Sequence, residues 1–407
     1  MAEDDHRTNG GGVLAGIRVA DFSRVLAGPY ATMMLADFGA DVLKIESPTG
    51  DDTRAWRPPV DEAGESTYFA AVNRNKRSVV CDLTTEAGLS AARRLATTAD
   101  VVVENFRPGV MERFGLDEAS LRAHNPGLVF CSITGFGREA GAALPGYDLL
   151  VQAVGGLMSI TGTPGGEPSK VGVALVDVLT GLNAFSGILL ALRRRDQTGE
   201  GSRVDVDLLG SLLAALTNQA SSTLATGRAP ARLGNAHPSI APYELFRAAD
   251  RELVVAVGND RQFAAFAAAL GQPALSADPR FATNEARVGN REALRAALEP
   301  LLAARAAAEW VDALTAARVP AGLVNDVAEA FAFAETLGLA PVVTTTDEAG
   351  RASRQPATPI RLDTAPAAHR TPPPLLGVHE ARWADEPAPQ AGAQQAAADG
   401  PTTTTIP

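Results

Sequence analysis

One aspartate stands out among the side chains that could do chemistry. Asp177 is the sole charged residue in the run Val171–Leu179. An ionised carboxylate among apolar neighbours is costly unless something compensates for its charge. An apolar helical pattern follows from Val178 to Leu192, so we predict that Asp177 lies at the start of a helix, where unpaired N–H groups and the dipole favour a carboxylate. On these residues alone, a helix N-cap is the simplest interpretation.

The residues around Asp177 are small or glycine. Thr180, Gly181 and Ala184 follow it at helical spacing, and their small side chains are expected to leave room beside the carboxylate. The segment Thr161–Pro168 precedes it and contains Gly162, Gly165 and Gly166. Those glycines could supply N–H groups to an oxyanion or form a mobile lid, although a Gly-Gly loop is usually a turn.

Composition limits the class of protein. The 407 residues are 46% hydrophobic and 20% charged, which is typical of a globular protein with two domains. A net charge of −11 argues against a nucleic-acid surface. Cys81 and Cys131 lack metal-ligand spacing and are interpreted as buried thiols. The sequence shows neither a signal peptide nor a membrane span, which predicts a cytoplasmic protein.

Strands alternate with helices in the first part of the chain. Asp41–Glu46 and Asp100–Phe106 are among the predicted strands, and Glu112–His124 is predicted to be one helix. This alternation predicts a Rossmann-like parallel sheet in an α/β large domain. The dinucleotide fingerprint, the Walker A motif and the GxSxG and HExxH motifs are absent from the sequence. Later, Tyr243–Arg247 and Glu252–Val257 are predicted to pair as a hairpin in a smaller α+β domain.

Five runs resemble one protein family. They are Asp21–Pro29, Leu35–Glu46, Asn75–Ser78, Val103–Gly109 and Arg195–Gly201, in the family's order. They are similar to class III CoA-transferases, the group that contains formyl-CoA transferase, carnitine CoA-transferase and alpha-methylacyl-CoA racemase. The likeness covers nearly the whole chain apart from its ends.

The resemblance implies a reaction and a nucleophile. Asp177 would attack an acyl-CoA thioester, released CoA would form an aspartyl-CoA thioester, and an acceptor acid would take over the CoA. Acyl-CoA and a carboxylic acid would be the substrates, with no permanently bound cofactor and no metal. CoA also needs basic groups and an apolar channel, and the residues implied for it are Val25, Leu26, Ala27, Lys76, Arg77, Asn105, Phe106, Arg107 and Arg113. The stretch Cys81–Thr84 would flank the adenine end.

Departures from the family's branches narrow the reaction. The formyl-CoA branch has arginine and glutamine where Ser47 and Leu26 stand, and a glycine-rich loop where Gly258–Asp260 stands, so oxalate–formate exchange is disfavoured. The racemase branch has a histidine where Tyr147 stands, and a tyrosine is a poor proton carrier near neutral pH. A racemase or epimerase and a non-catalytic CoA-binding protein are the alternatives to a transferase. The stretch around His237 is similar to the succinate–hydroxymethylglutarate branch, which suggests succinyl-CoA as donor, but a histidine that fixes a turn is equally consistent.

The resemblance also implies an assembly. The family's fold is an interlocked homodimer of ring-like chains, each with a large and a small domain. We expect a disordered N-terminus at 1–12, a large CoA-binding domain at 13–225, a small domain at 226–325, a return to the large domain at 326–382, and a disordered tail at 383–407. No nucleic-acid or membrane partner is expected.

Overall fold

The computed structural model describes residues 12–387, and most of the predicted disordered termini lie outside this range. Within it, the predicted mixed α/β fold is confirmed. One sheet contains β1 (Arg18–Asp21), β2 (Asp41–Glu46), β3 (Lys76–Val80), β4 (Val101–Glu104), β5 (Val129–Thr134) and β6 (Arg203–Asp207). Valines dominate its central strands, and both faces of these strands are buried, as is typical of a sheet covered on both sides.

The order of the strands marks one edge of the sheet. The order is β3-β2-β1-β4-β5-β6, and β1 pairs in parallel with both β2 and β4. The chain therefore changes its direction of winding between β1 and β4. In open α/β sheets, ligands bind outside the carboxyl ends of the strands at such a point. Here those ends lead into the loops that follow Asp21 and Glu104.

The residues that the structure describes also form fifteen α-helices. They are α1 (Ala27–Asp37), α2 (Thr67–Ala70), α3 (Glu86–Thr97), α4 (Val110–Arg113), α5 (Glu118–Arg122), α6 (Asp148–Val154), α7 (Leu157–Ile160), α8 (Leu175–Thr198), α9 (Leu208–Ala215), α10 (Thr217–Thr226), α11 (Asp260–Ala269), α12 (Asn284–Gly289), α13 (Arg291–Leu302), α14 (Ala307–Ala316) and α15 (Val327–Thr336). The predicted helix Glu112–His124 is wrong in one respect, because a turn at Gly115, with φ of +60°, separates α4 from α5.

Helix α8 is longer than the sequence pattern predicted. It begins at Leu175, two residues before Asp177, and continues through the basic residues to Thr198. Asp177 is therefore not the N-cap but the third residue of the helix. By length and composition alone α8 could also span a membrane, a test that the core helices of soluble proteins pass too.

The chain forms two compact units. The first contains the residues up to Thr134, Gly181–Val206 and the residues from Thr344, and the second contains Gly135–Thr180 and Asp207–Val343. The predicted boundaries divide the chain differently, since they place all of 13–225 in one domain. The six-stranded sheet lies in the first unit.

The second unit has its own core. The predicted hairpin is confirmed as β7 (Tyr243–Arg247) and β8 (Glu252–Ala256), to which β9 (Ala321–Leu323) adds an antiparallel strand. Large apolar side chains from this sheet and from helices α11, α13 and α14 are buried together, among them Phe246, Phe263, Leu298 and Trp310.

The end of the described chain returns to the first unit. A small sheet, β10 (Val342–Thr346) with β11 (Ala352–Pro356), precedes an extended segment. The tail was predicted to be disordered from residue 383, and this is wrong for 383–387. Trp383 is fully buried in the core of the first unit, and Asp385 forms an ion pair with Arg18. The apolar tryptophan explains why this segment orders despite its polar neighbours.

Candidate active site

Asp177 is held in the first turn of α8 by a second aspartate. Oδ1 of Asp148 accepts hydrogen bonds from the backbone N–H of Val176 at 2.8 Å and of Asp177 at 3.2 Å. Asp148 is thus the group that caps this helix, although it is 29 residues away in sequence. Because its carboxylate takes two of the unpaired N–H groups, the helix terminus offers Asp177 less compensation than the sequence suggested.

The surroundings of Asp177 raise the pKa of its carboxyl group. Burial, followed by the nearby negative charge of Asp148, raises the pKa of Asp177 from 3.8 to about 7. Both effects act in the same direction, since each disfavours the ionised form. Among the ion pairs found within residues 12–387, none includes Asp177. A carboxylate with a pKa near the working pH is a stronger nucleophile than an ordinary aspartate and remains ionised much of the time.

Gln152 connects the capping aspartate to the segment before α8. Its amide Nε2 donates to Oδ2 of Asp148 at 2.6 Å, and its Oε1 accepts from the N–H of Val171 at 2.9 Å. The side chain is 1% exposed. These contacts fix the backbone leading into α8 and orient the Asp148 carboxylate, so Asp148 and Gln152 together position Asp177.

The small residues after Asp177 are packing positions. Thr180 and Ala184 are fully buried. A Cβ at Gly181 would lie 2.7 Å from the carbonyl oxygen of Ala27. The expectation that these three residues leave room for a thioester is therefore wrong, because their small size lets α8 pack closely within its surroundings.

The glycine-rich segment forms an anchored turn. Gly162 and Gly165 have φ of +118° and +71°, which favour glycine. The Gly166 carbonyl accepts a hydrogen bond from Arg232 at 2.7 Å, and the Gly162 carbonyl accepts one from the Gly234 N–H at 3.1 Å. The loop that contains the candidate oxyanion donors Gly162 and Gly166 is therefore held by hydrogen bonds to the 232–234 segment.

The first unit has a cavity at the sheet edge identified above. It measures about 170 Å³ and is lined by residues at the carboxyl end of β2 and in the segments that follow β1 to β4, namely Phe22, Ser23, Arg24, Lys44, Ile45, Glu46, Ser47, Gly50, Asp51, Cys81, Asp82, Leu83, Thr84 and Phe106. The guanidinium of Arg24 lies 5.1 Å from the centre of the Phe106 ring. An aromatic ring, a cation and small polar groups in one cavity suit a planar base with attached phosphates.

Some predicted CoA ligands lie at this cavity. Phe106 lines it, and Asn105 binds the Arg24 backbone. Val25 and Leu26 are partly exposed in the same loop, whereas Ala27 begins α1 and is 3% exposed. All four residues from Cys81 to Thr84, which the resemblance places at the adenine end of CoA, line the cavity. Arg107 and Arg113 are exposed on the loop after β4 and on α4.

Two of the predicted basic ligands are bound to protein groups. Lys76 is 1% exposed, and its Nζ donates to Asp21, to the Pro29 carbonyl and to Asn73. Arg77 makes a two-pronged contact with Asp41 and also binds the Arg382 carbonyl. The phosphate-binding role predicted for Lys76 is at odds with this enclosure, because no donor of its ammonium group reaches solvent.

Lys76 belongs to a network of buried charges. Its Nζ lies 3.1 Å from Asp21, and Lys44 lies 2.9 Å from Asp51. Burial would raise the pKa of both aspartates, but Lys76 and Lys44 keep the pKa of Asp21 below its usual value, and Lys44 does the same for Asp51. Burial lowers the pKa of Lys76 to about 8 against the pull of Asp21.

Two other residues considered from the sequence now have defined surroundings. Tyr147 is 64% exposed at the start of α6. The Nδ1 of His237 accepts a hydrogen bond from the Ser239 N–H, and its ring lies 5.3 Å from that of Tyr243. This hydrogen bond holds the turn from His237 to Ser239, with Pro238 in its middle. Asn259, in the run compared with the family's glycine-rich loop, caps α11.

Sequence reasoning missed Asp148, beside Asp177 in the second unit, and Arg24 and Asp51, at the cavity of the first unit. Asp148 was passed over in favour of its neighbour Tyr147, and the long polar loop hid Asp51. Arg24 lies inside a family motif that gives no sign of its own role. One signal was available for Asp148, since it follows a glycine and a tyrosine just before an apolar helix. Its partner Val176 could not be found from spacing, because the contact joins distant parts of the chain.

Comparisons with known proteins identify the family of this chain. Residues 14–380 match the model of CoA-transferase family III. The chain is 44% identical to a succinate–glutarate CoA-transferase of Agrobacterium fabrum, over 91% of this chain and 94% of that protein. It is also 44% identical to an acetyl-CoA:oxalate CoA-transferase of Acetobacter aceti, over 78% and 82%.

A solved structure extends the likeness to the fold. A CAIB/BAIF family protein from Brucella suis superposes with a TM-score of 0.81 at 43% identity, covering 90% of this chain and 97% of that one. The predicted family is thus confirmed over most of the chain, and with it the predicted class of enzyme. The chain belongs to CoA-transferase family III and is a CoA-transferase.

Proposed function

We propose that the enzyme transfers CoA from a dicarboxylic acyl-CoA, such as succinyl-CoA, to a carboxylic acid, with Asp177 as nucleophile. The observation that carries the proposal is the partly buried Asp177 in the first turn of α8, whose pKa is raised to about 7 and which has no cationic partner among the described ion pairs. A structural helix cap would be stabilised as an anion, whereas this carboxylate is destabilised as one.

The reaction proceeds by four exchanges at carbonyl carbon. A carboxylate oxygen of Asp177 attacks the thioester carbonyl, the C–S bond breaks, and CoA leaves as a thiolate. The thiolate then attacks the Asp177 carbonyl of the mixed anhydride, which releases the donor acid and forms an aspartyl-CoA thioester. The acceptor carboxylate displaces CoA from that thioester, and CoA finally attacks the acceptor acyl carbon and frees Asp177. No net proton or electron is exchanged.

The cavity in the first unit is proposed to hold the nucleotide part of CoA. Phe106 and Arg24 would contact the base and a phosphate, while Asn105, Arg107 and Arg113 lie on the adjoining loop and helix. Val25, Leu26 and Ala27 would border the pantetheine arm. Lys76 holds Asp21 at the carboxyl end of β1, whereas Arg77 binds Asp41 at the amino end of β2, the opposite edge of the sheet from the cavity.

The dicarboxylate preference comes from the relatives. The two relatives named above act on succinate and glutarate or on oxalate, according to their names. All three are dicarboxylic acids, although the donors differ. Offering succinyl-CoA together with a panel of mono- and dicarboxylic acids, with the acyl-CoA products identified by mass spectrometry, tests this preference. Equal use of monocarboxylates would contradict it.

Trapping tests the nucleophile. With acyl-CoA and hydroxylamine, the unaltered enzyme should acquire a hydroxamate on the peptide containing Asp177, detected by mass spectrometry. Asp177→Ala should lose at least about a thousandfold in exchange, as expected for removal of a covalent nucleophile, while CoA binding remains. Asp196→Ala, which alters an exposed carboxylate on the same helix, is the matched control. Retained turnover in Asp177→Ala would overturn the mechanism.

The racemase alternative makes a different prediction. A racemase would exchange the α-hydrogen of a branched acyl-CoA with D₂O in the absence of any acceptor acid. Tyr147, at the position of the racemase histidine, is 64% exposed and poorly suited to that role. We expect no α-deuterium incorporation above the uncatalysed rate.

We also propose that two chains associate as a homodimer. No residue of α10 or α15 is buried in the isolated chain, and Leu224 and Val327 on these helices are 87% and 75% exposed. Large apolar side chains left open in this way, on the apolar α15 and at Leu224 of the more polar α10, are typical of interfaces between subunits. Light scattering coupled to size-exclusion chromatography should give twice the chain mass of 42.2 kDa; a monomeric mass would contradict the proposal.

A further inference from the structure

The loop between β1 and α1 contains a strained residue. Val25 has φ of +69°, in the left-handed region. A β-branched side chain makes this conformation a genuine outlier that is costly for the isolated backbone. Such a conformation persists only where the surrounding structure over-determines it. The contacts that hold this loop are therefore informative.

Three side chains from other elements hold the loop. Oδ1 of Asn105 accepts from the Arg24 N–H at 2.8 Å, and Nδ2 of Asn105 donates to the Arg24 carbonyl at 2.7 Å. The Val25 N–H donates to both carboxylate oxygens of Asp51, at 3.3 and 3.2 Å. The Nζ of Lys44 donates to the Ser23 carbonyl at 2.8 Å.

Asn105 differs from Asp51 and Lys44, the other two side chains that hold the loop. Asp51 and Lys44 form a buried ion pair and belong to the interior of the fold. Asn105 is partly exposed beyond the end of β4, and both ends of its amide are committed to one residue of the loop. Its amide therefore has one donor hydrogen and one lone pair of Oδ1 left for any ligand.

We propose that Asn105 is a positioning residue, whose amide holds the Arg24 backbone and so keeps Val25 in the left-handed turn that shapes the acyl-CoA site. The proposal rests on the proposed function, because it assumes that the cavity beside Arg24 takes CoA. Ser23 and Arg24 form one wall of that cavity, and Asp51 and Phe106 form others. If the loop relaxes, the competent form is only partly populated and the apparent affinity falls by that fraction.

A pair of substitutions separates positioning from direct contact. Asn105→Ala should weaken CoA binding about five- to thirtyfold, measured by calorimetry, because binding must then restore the strained turn. Adding Val25→Gly should recover at least half of this loss on a logarithmic scale, since glycine adopts positive φ readily. Val25→Gly alone should not improve binding, because the turn is already formed.

Matched variants distinguish relief of backbone strain from loss of side-chain volume. Val25→Ala removes the same branched atoms but keeps a Cβ, so it should rescue Asn105→Ala less well than Val25→Gly does. Asn105→Asp keeps an acceptor for the Arg24 N–H but sets an oxygen against the Arg24 carbonyl, so it should weaken binding and be rescued in the same way. This second variant keeps the test valid if Asn105→Ala fails to fold.

Two failures are distinguishable. If the unaltered enzyme binds CoA and the effects of the Asn105 and Val25 substitutions simply multiply, Asn105 contacts the ligand directly and the positioning role is overturned. If the unaltered enzyme binds no CoA, the proposed function falls and the positioning role falls with it. The inference is supported if adding Val25→Gly to either Asn105 variant recovers at least half of the lost CoA affinity on a logarithmic scale.

Discussion

Two groups of buried carboxylates in this enzyme have opposite surroundings. In the first unit, Asp21 and Asp51 each lie within about 3 Å of a lysine ammonium, and their pKa values are held below the usual range. In the second unit, Asp177 has Asp148 as its charged neighbour, and its pKa is raised to about 7. The same side-chain type is stabilised as an anion in one region and destabilised in the other.

The difference separates carboxylates that support the fold from the carboxylate that we propose as the nucleophile. A paired and hydrogen-bonded carboxylate is a poor nucleophile, because its charge is already satisfied, but it holds loops rigidly. Asp51 shows this role through its bonds to Val25 and Thr53. An unpaired carboxylate costs stability and keeps its reactivity. The contrast implies that breaking the first region should damage the fold, whereas neutralising the second should damage activity alone.

The largest expected effect on stability comes from breaking the paired region. Lys76→Met leaves Asp21 with Lys44 as its remaining charged neighbour in a fully buried site. Removing one partner of a buried ion pair typically costs about 3–5 kcal/mol, because the other charge stays uncompensated. Urea unfolding monitored by circular dichroism should show that Lys76→Met lowers the free energy of unfolding by this amount.

A matched substitution provides the control for this prediction. Lys170→Met removes the charge of an exposed lysine in the second unit, and it should change the free energy of unfolding by less than about 0.5 kcal/mol. If Lys76→Met cost no more than Lys170→Met, the buried network would not be part of the scaffold. Asp177→Asn should then be compared with both.

The next largest expected effect, that of Asp177→Asn, is an increase in the free energy of unfolding. The pKa of Asp177 is raised in the folded state, so the folded protein binds a proton more tightly than the unfolded chain, and stability falls as pH rises from about 4 to about 7. A pKa near 7 in place of 3.8 corresponds to at most about 4 kcal/mol. Since Asp177 is partly exposed, we expect Asp177→Asn to stabilise the enzyme by about 1–3 kcal/mol at pH 8.

The gain should disappear in acid. At pH 4 Asp177 is protonated in the folded state, so the Asn variant and the unaltered enzyme should unfold at similar urea concentrations. Asp196→Asn, on an exposed part of the same helix, should show no such dependence on pH. A stabilisation of Asp177→Asn that was equal at pH 4 and pH 8 would contradict the raised pKa.

The sheet was predictable from the sequence, and Asp177 could be singled out as the candidate nucleophile. Valine-rich strands between helical patterns made the sheet predictable, and β2 has the predicted bounds. The isolated charge of Asp177 in an apolar run marked it before any contact was known. Local pattern failed at helix ends, because the start of α8 is set by Asp148, a residue remote in sequence. Likewise, Trp383 orders a polar tail through a core that lies far away along the chain.

The charged residues of the site were harder to predict. Lys76 and Arg107 are both basic residues in family motifs, yet one is 1% exposed and the other lies at the surface. Burial of a lysine depends on partners such as Asp21, which spacing along the chain does not reveal. The strain at Val25 was also hidden, since valine gives no sign of a left-handed conformation.

The smallest expected effect is that of replacing Asp148, the charged neighbour of Asp177. Asp148→Asn keeps an oxygen that can accept from the N–H groups of Val176 and Asp177 but removes the negative charge. The pKa of Asp177 should therefore fall, and the acidic limb of kcat/KM against pH should move to lower pH. Burial is the larger cause of the raised pKa, so the limb should remain well above pH 4. Asp148→Ala, which also removes the acceptor, should lower kcat further because α8 loses its cap. A limb that stayed in place in Asp148→Asn would mean that burial alone sets the basicity of Asp177, and the role of Asp148 would then be limited to holding the helix.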